Sequence, residues 1–188
     1  MQTDTKNKIL DIAADLLQDK GFNAFSYHHI SSLLGIKNAA VHYHYPTKES
    51  LGIDIIRRAR SNFAQITQEA SSLHLYPWQQ FDIFLDIYRK NLSDNHKVCL
   101  MGSLGAAYFT LPSGMQEEVK LMVNEILDWL TQLLESGRSS NNFTFKGDAR
   151  SKATLITTSL AGALQMARIT DNTHFHTVID QVKADLSN

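Results

Sequence analysis

The chain has 188 residues, of which 43% are apolar and 20% are charged, and its formal net charge is −1 at pH 7. This composition is ordinary for a globular protein that buries a sizeable core. One cysteine excludes an intrachain disulfide, no apolar run reaches the roughly 20 residues that span a bilayer, and no signal-peptide apolar region is present, so we expect a cytoplasmic protein without a membrane partner.

Positive charge is concentrated near the N-terminus. Residues 1–60 contain eight Lys and Arg against six Asp and Glu, whereas residues 61–188 contain ten against thirteen. Four of the eight histidines also lie in the first part, at His28, His29, His42 and His44. The asymmetry indicates a polyanionic partner for the N-terminal region.

Apolar residues recur at helical spacing along the chain, and no stretch alternates as a β-strand does. Glycine, proline and capping residues mark where helices begin and end. An all-α fold of about nine helices is therefore predicted. The predicted helices cover residues 5–20, 27–34, 38–44, 47–71, 77–92, 98–109, 113–136, 148–169 and 173–186.

Several boundaries rest on specific side chains. Ser26 and Asp148 are predicted N-caps, and Ser113 with Gln116 three residues later has the pattern of a capping box. The segment 94–96 is predicted to end the fifth helix. The polar, turn-rich segment 137–147 is predicted to be a flexible loop.

The second and third helices have the spacing of a helix-turn-helix, because two short helices are joined by Gly35-Ile36-Lys37. Apolar side chains are predicted to pack these helices against the first one. They are Ile30, Leu33, Leu34, Ile36 and Val41. The other face of the third helix has small and polar residues at Asn38, Ala39, Ala40, Tyr43 and His44, which allow the helix to lie deep in a major groove.

The stretch from Phe25 to Leu51 resembles the TetR/AcrR family of transcriptional regulators. The residues that carry the resemblance are Ser26, Ile30, Gly35-Ile36, His42-Tyr43-His44-Tyr45 and Lys48-Glu49-Ser50-Leu51. With the first helix the resemblance covers about 45 residues, and the length and helix count extend it loosely to the whole chain.

The resemblance implies an N-terminal three-helix helix-turn-helix DNA-binding domain at residues 1–47. It also implies a C-terminal helical bundle at 48–188 for ligand binding and dimerisation. The expected protein is a homodimer that binds double-stranded palindromic operator DNA and is released by a small, hydrophobic effector. Repression is the usual habit of the family, whereas activation is the alternative.

The resemblance also implies roles for single residues. Ser26 and Tyr27 would contact phosphate, and Tyr43, His44 and Lys48 would clamp the DNA backbone; a helix N-terminus, a phenol and a lysine all suit phosphate. The residues implied to face base edges are Lys37, Asn38, Ala39 and Ala40. His42 replaces a common Tyr and either contacts DNA or points into the domain. Asn38 either reads adenine or caps the third helix, because Lys37 stands where many members have Ser.

In the C-terminal part, aromatic and methionine side chains are predicted to form mostly core, and some to line an effector pocket. The candidate ligand-binding residues are Phe84, Tyr88, Met101, Tyr108, Met122, Trp129 and Met166. The family places its dimer interface on the last two helices. The candidate interface residues are Ala153, Thr157, Leu160, Ala161, Leu164, Phe175, Val178, Ile179 and Val182.

Other readings are weaker. The histidine pairs are one or two residues apart and diverge on a helix, so no metal site is predicted. No nucleophile–base pair or phosphate-binding glycine loop indicates an enzyme, and no cofactor is expected. A helical adaptor that binds only protein is another alternative function. Cys99 lies in a Cys-Leu-x-Gly segment like those of TetR members that sense electrophiles, so an electrophile- or redox-sensing repressor is the alternative function and inert packing the simpler role.

Overall fold

The computed structural model describes residues 2–94 and 97–187, apart from the side chains of residues 2 and 3. Over these residues the fold is all-α, as predicted, with nine α-helices and two short 3-10 helices. The α-helices are α1 Gln2–Lys20, α2 Tyr27–Leu34, α3 Asn38–His44, α4 Lys48–Ser72, α5 Pro77–Ser93, α6 Leu100–Ala106, α7 Ser113–Ser139, α8 Ala149–Ile169 and α9 Thr173–Asp185. The 3-10 helices are Phe22–Ala24 and Tyr108–Thr110.

The helices form two compact units. The first contains the chain up to Ser61 together with Ser103–Met122, and the second contains Asn62–Gly102 and the chain from Val123 onward. Helices α4, α6 and α7 each contribute to both units. The predicted division between residues 47 and 48 is therefore not a boundary between compact units, and it stays a prediction about function.

In the first unit, α1 buries one apolar stripe and ends at Lys20, just before Gly21, whose φ of +84° suits glycine. Ile30 and Val41 are fully buried, as the helix-turn-helix prediction requires. Leu33 is the exception, because 65% of it is exposed and it does not lock the two helices. The buried stripe of α1 is formed by Ile9, Leu10, Ala13, Leu16 and Leu17.

A buried carboxylate joins α4 to α7 within the first unit. Glu118 is only 7% exposed. Its two oxygens accept hydrogen bonds from Arg57 Nε, at 2.7 Å, and from Arg60 Nη1. Burying a carboxylate is costly unless it is paired, so these two guanidinium groups make its position in the core tolerable.

The second unit is built around an aromatic core. The ring of Phe143 lies 4.8 Å from that of Trp78 and 6.1 Å from that of Phe81, both edge-on. Phe84 continues the network towards Trp129, at 5.7 Å. Helix α8 packs along α9 and also contacts α5.

The prediction of a flexible loop at 137–147 is wrong. Helix α7 continues to Ser139, and Phe143 and Phe145 are buried at 1% and 9% exposure. The backbone N–H of Thr144 donates to Leu186 O at 2.8 Å, which ties the segment to the end of α9. A Cβ on Gly137 would lie 2.0 Å from a ring carbon of Phe143, so glycine is required for this packing. The two phenylalanines order a segment whose other residues are polar.

Two other local predictions differ from the structure. Ser113 is the first residue of α7 and not its N-cap, because Pro112 O accepts from the N–H groups of Met115 and Gln116 at 3.0 and 3.1 Å. The Gln116 side chain donates to Leu111 O, so the predicted capping box does not form. The predicted helix 98–109 is shortened to Leu100–Ala106 and followed by a 3-10 turn.

Other predicted ends are confirmed or fall outside the structure. Asp148 caps α8 and accepts a hydrogen bond from Ser151 N at 2.8 Å, as predicted. Helix α5 ends at Ser93, and two of the three residues predicted to terminate it, 95 and 96, lie outside the described residues. None of the helices in the described part of the chain is long and apolar enough to cross a membrane.

Candidate nucleic-acid interface

Helix α2 begins at an exposed capping site. Ser26 is the N-cap, with an extended φ of −132°, as the sequence predicted. The backbone N–H of Ser26 donates to Nδ1 of His29 at 3.0 Å. His29 therefore takes the place that Glu or Gln has in a usual capping box. Because Nδ1 accepts this hydrogen bond, the neutral ring carries its proton on Nε2.

Tyr27 points into the unit and not outward. Its hydroxyl donates to Tyr45 O at 2.8 Å, and only 7% of the residue is exposed. Burial raises the pKa of Tyr27 to about 12. Its ring lies 4.6 Å from that of His42, edge-on. The prediction that the Tyr27 side chain contacts phosphate is therefore corrected: the hydroxyl joins the start of α2 to the end of α3.

The turn between α2 and α3 depends on Gly35, which has the left-handed φ of +64°. Lys37 is the N-cap residue of α3 and makes no side-chain capping bond. Asn38 is therefore the first residue of α3 and not its cap. Lys37, Asn38 and Ala39 are exposed, which leaves their side chains accessible to a ligand.

Helix α3 has an inner and an outer face. Val41 is fully buried on the inner face, and Tyr45, just after the helix, is 2% exposed. Tyr43 is 70% exposed and its ring lies 5.2 Å from that of His44. Ala40 and His44 are partly exposed, and His42 is exposed beside Tyr27. The outer face thus carries small side chains near the start of the helix and aromatic side chains near its end.

Lys48 makes contacts within its own chain that the sequence did not predict. Its Nζ donates to Phe22 O at 2.5 Å and also to Phe25 O. The ammonium lies over both phenylalanine rings, 4.6 and 4.3 Å from their centroids. Burial lowers the pKa of Lys48. Two of its three donors are occupied within the protein.

The electrostatic character of this face also follows from the sequence. Residues 20–48 contain no Asp or Glu, whereas Lys20, Lys37 and Lys48 all lie there. An acid-free segment with exposed amide, phenol, imidazole and lysine groups suits a polyanion, because it has donors and no competing carboxylate. The arrangement can bind phosphate and base edges.

The structure brings together only part of the predicted ligand-binding set. Tyr88 lies 5.4 Å and Trp129 lies 5.7 Å from Phe84, between ring centroids, and Met101 packs against the same core. Tyr108 and Met122 belong to the first unit. Met166 is 47% exposed on α8 and does not face this core, which corrects its assignment.

The predicted dimer face of α8 and α9 is mostly the wrong face. Six of its nine residues are at most 4% exposed inside their own chain, so they cannot present a surface to a second copy: Ala153, Thr157, Leu160, Leu164, Phe175 and Ile179. Val182 is also buried, at 8%, whereas Ala161 and Val178 are partly buried. The exposed apolar residues of α8 that the sequence prediction missed are Leu155, at 55%, and Ile169, at 82%.

Cys99 is buried in the second unit. Its Sγ accepts a hydrogen bond from Gly102 N at 3.4 Å, and burial raises the pKa of the thiol. No group of three or more His, Cys, Asp and Glu side chains placed to hold a metal ion is found among the residues that the structure describes.

A helix-turn-helix with an acid-free outer face is typical of DNA-binding transcription regulators. Residues 9–54 match the family model described as bacterial regulatory proteins, tetR family. The chain also matches the crystal structure of a TetR-family transcriptional regulator from Agrobacterium tumefaciens, with a TM-score of 0.91 and 26% identity over 99% of this chain and 100% of that one. The N-terminal region is thus similar in sequence to the tetR family, and the whole chain has the fold of a TetR-family transcriptional regulator.

Two relatives have known regulatory roles. The transcriptional repressor NemR of Escherichia coli is 22% identical over 88% of this chain and 85% of its own length. The negative transcriptional regulator IcaR of the biofilm operon icaADBC in Staphylococcus epidermidis is 29% identical over 50% of this chain. That match spans 39% of IcaR.

Proposed function

We propose that this chain is a ligand-responsive repressor that binds a palindromic operator as a homodimer. The observation that supports it most directly is the outer face of α3, where Lys37, Asn38 and Ala39 are exposed and no acidic residue lies nearby in sequence. Repression is supported by the two negatively acting relatives, NemR and IcaR. Residues 1–47 would bind DNA and residues 48–188 would bind the effector and form the dimer.

Within the proposed interface, base reading belongs to the start of α3. Asn38 can form a bidentate pair with adenine now that it is not a capping residue, and Ala39 and Ala40 can approach a thymine methyl. Lys37 is close enough in sequence to reach either a base or a phosphate. Ser26, Tyr43 and His44 would contact the phosphate backbone, with His42 beside them.

The proposed dimer face is an exposed stripe on α8. Leu155, Ser159, Gly162, Met166 and Ile169 recur at spacings of three and four, which places them along one side of the helix. Leu155, Met166 and Ile169 are large apolar residues at 55%, 47% and 82% exposure, which is costly for an isolated chain in water. Gly162 has nothing within 4 Å of its Cβ position, so a partner helix can approach closely.

A groove between α8 and α9 borders this stripe. Polar and apolar side chains line it together: Lys152, Leu155, Ile156, Ser159, Val178, Gln181, Val182 and Asp185. Of the originally predicted interface residues, Val178 and Val182 line this groove. Two-fold pairing across the stripe and groove would give the two heads that a palindromic operator requires.

The proposed effector site involves the second unit's aromatic residues Phe84, Tyr88 and Trp129, with Met101 beside them. These side chains suit a hydrophobic ligand with an aromatic or aliphatic body. Helix α4 belongs to the second unit from Asn62 and to the first up to Ser61. A ligand that displaces the second part of α4 would move the first part through the continuous helix and thereby oppose DNA binding by linkage.

The test is a binding titration with duplex DNA from immediately upstream of the gene. Full-length protein should bind this duplex with nanomolar affinity in the presence of excess random DNA, and an effector found by screening hydrophobic metabolites should release it. Operator occupancy that persists at saturating effector would contradict antagonism. Loss of reporter expression on deletion of the gene would contradict repression.

The second candidate function is an electrophile- or redox-sensing repressor that acts through Cys99. It is favoured by the segment Val-Cys-Leu-Met-Gly and by the similarity to NemR of Escherichia coli, whose crystal structure is described as the reduced form. The burial of the thiol and its raised pKa weigh against it, because the thiolate is the reactive form. If Cys99→Ser abolished release of operator DNA by an electrophile such as N-ethylmaleimide, this function would be supported.

A further inference from the structure

Lys48 makes four contacts within its own chain, which a lysine that only contacts DNA would not need. Its ammonium bonds two backbone carbonyls, Phe22 O and Phe25 O, and lies over the rings of the same two residues at 4.6 and 4.3 Å. The rings are 5% and 2% exposed and meet edge-on at 6.1 Å. On its inner side the partly exposed cation therefore contacts oxygen atoms and aromatic faces that all favour a positive charge.

The segment that Lys48 holds is the connection between α1 and α2. Phe22–Ala24 form a single 3-10 turn, and Phe25 immediately precedes Ser26, the N-cap of α2. A turn this short satisfies few of its own carbonyl groups. Because Lys48 opens α4, its side chain fixes the entry to α2 against the start of α4.

We propose that Lys48 is a positioning residue that sets the place of α2 in the helix-turn-helix, and not a residue that neutralises a DNA phosphate. The inference rests on the proposed DNA-binding function. It changes the meaning of a lysine that the family resemblance assigns to the phosphate backbone. It also predicts which of the N-terminal lysines determine the salt dependence of DNA binding.

The two roles differ in what the removal of the ammonium does. A lysine that neutralises a phosphate lowers affinity for every duplex and reduces the slope of log affinity against log salt by about 0.9 when it is removed. A positioning lysine reduces affinity only where correct placement of α2 and α3 matters, which is on the operator. A merely structural lysine would lower the folded fraction and weaken both duplexes equally.

The experiment compares wild type, Lys48→Met and Lys37→Met on the operator and on a random duplex of equal length, each over a range of salt concentrations. Lys48→Met keeps the aliphatic stem and removes the charge. We expect it to weaken operator binding by about tenfold, while the random-duplex affinity and both salt slopes stay at wild-type values. Lys37→Met, at an exposed lysine, is the matched control and should reduce the slope by about 0.9.

A reduced slope in Lys48→Met, with equal losses on both duplexes, would overturn the inference in favour of a phosphate contact. Unchanged operator binding would overturn it as well. If Lys48→Met does not fold, Lys48→Arg decides, since it keeps the charge but replaces a compact ammonium with a wider planar group. The positioning role predicts weakened operator binding in Lys48→Arg, whereas wild-type binding would contradict it.

A measurement without DNA separates this inference from the proposed function. In wild type the amides of Ala24 and His29 are bonded to Gly21 O and Ser26 O, at 3.3 and 3.1 Å. Lys48→Met should exchange the amide hydrogens of residues 21–29 faster than wild type, with α9 as the internal reference. Unchanged exchange would contradict the inference. If wild type preferred no DNA sequence while this exchange increased, the proposed function would fail and the positioning contact would stand.

Discussion

The sequence predicted the helices of the α2–α3 pair and of the α8–α9 pair equally well. It predicted which side chains are exposed better in α2–α3 than in α8–α9. In α2–α3, most residues predicted to face a partner are exposed, including Asn38, Ala39 and Tyr43. In α8–α9, most residues predicted to face a partner are buried in their own chain. A periodic apolar pattern therefore indicates a buried helix face, but it does not indicate whether the same chain or a partner covers that face.

The reason lies in the composition of the two helix pairs. Helix α3 has one apolar inner position at Val41 and a polar outer face, so its orientation follows from the residues. Helix α8 has apolar residues on two faces: Ile156, Leu160 and Leu164 are buried, whereas Leu155 and Ile169 are exposed. Both faces are compatible with an interface, and only the packing of α9 and α5 shows which one is already covered.

The largest expected effect concerns the exposed stripe of α8. The double change Leu155→Asp with Ile169→Asp should raise the dimer dissociation constant by at least about 100-fold, because negative charges that repel each other replace apolar contacts. Sedimentation equilibrium measures this constant. Thr154→Asp, exposed on the same helix but off the stripe, is the matched control and should leave it unchanged. An unaltered dimer in the double variant would place the interface elsewhere.

The segment between α7 and α8 provides the next largest effect. Gly137→Ala should lower the free energy of unfolding by about 2 kcal/mol, because the new methyl group overlaps the Phe143 ring in a filled core. Urea denaturation measures this change. Gly105→Ala, with nothing within 4 Å of its Cβ position, should cost no stability. Equal behaviour of the two variants would mean that Phe143 is not held as described.

Substitution of two tyrosines of the helix-turn-helix should affect stability in one case and operator binding in the other. Tyr27→Phe removes a buried hydrogen bond to Tyr45 O and should cost about 1 kcal/mol of unfolding free energy. Tyr43→Phe changes a residue that is 70% exposed, and it should weaken operator binding more than it lowers stability. Thermal unfolding measures the stability of both variants, and operator titration measures their affinity for DNA. The reverse pattern, with Tyr43→Phe destabilised and Tyr27→Phe impaired only in binding, would contradict the assignment.

Tyr27 also gives a pH dependence with a defined sign. Its folded pKa, about 12, is raised above the unfolded value of 10.0, so its contribution to stability is complete below pH 10 and is lost as the pH rises towards 12. Tyr27→Phe should therefore reduce the alkaline loss of stability between these pH values. An identical alkaline loss in Tyr27→Phe would contradict the buried environment of this hydroxyl.

The last prediction concerns the reactivity of Cys99. Because burial raises the pKa of the thiol, less thiolate is present at pH 7.5 in the folded chain than in the unfolded one. Iodoacetamide should modify the folded protein at least about tenfold more slowly, and the rate should rise with pH. Cys99 is the only cysteine of the chain, so mass spectrometry reports on this residue alone. Equal rates in the folded and unfolded protein would restore the sensing hypothesis.

Much of the fold was predictable because its signals are local. Ser26, Gly35 and Asp148 mark helix ends through their own caps and turns, and the structure confirms all three. The flexible-loop prediction failed because a distant residue decides: Phe143 orders a polar segment through Trp78. The sequence also did not predict the contacts of Lys48 with the carbonyl groups of Phe22 and Phe25, which lie more than twenty residues earlier in the chain. Sequence spacing gives no direct sign of such contacts.

The most direct test of the DNA-reading role of α3 is selection of binding sites from a library of random duplex DNA by the full-length protein. We expect an enriched inverted repeat with half-sites about one helical turn apart, and loss of this enrichment in Ala39→Glu, where a carboxylate would meet the groove. A wild-type protein that enriches no sequence, or an Ala39→Glu variant that enriches the same one, would contradict the claim that the outer face of α3 reads DNA.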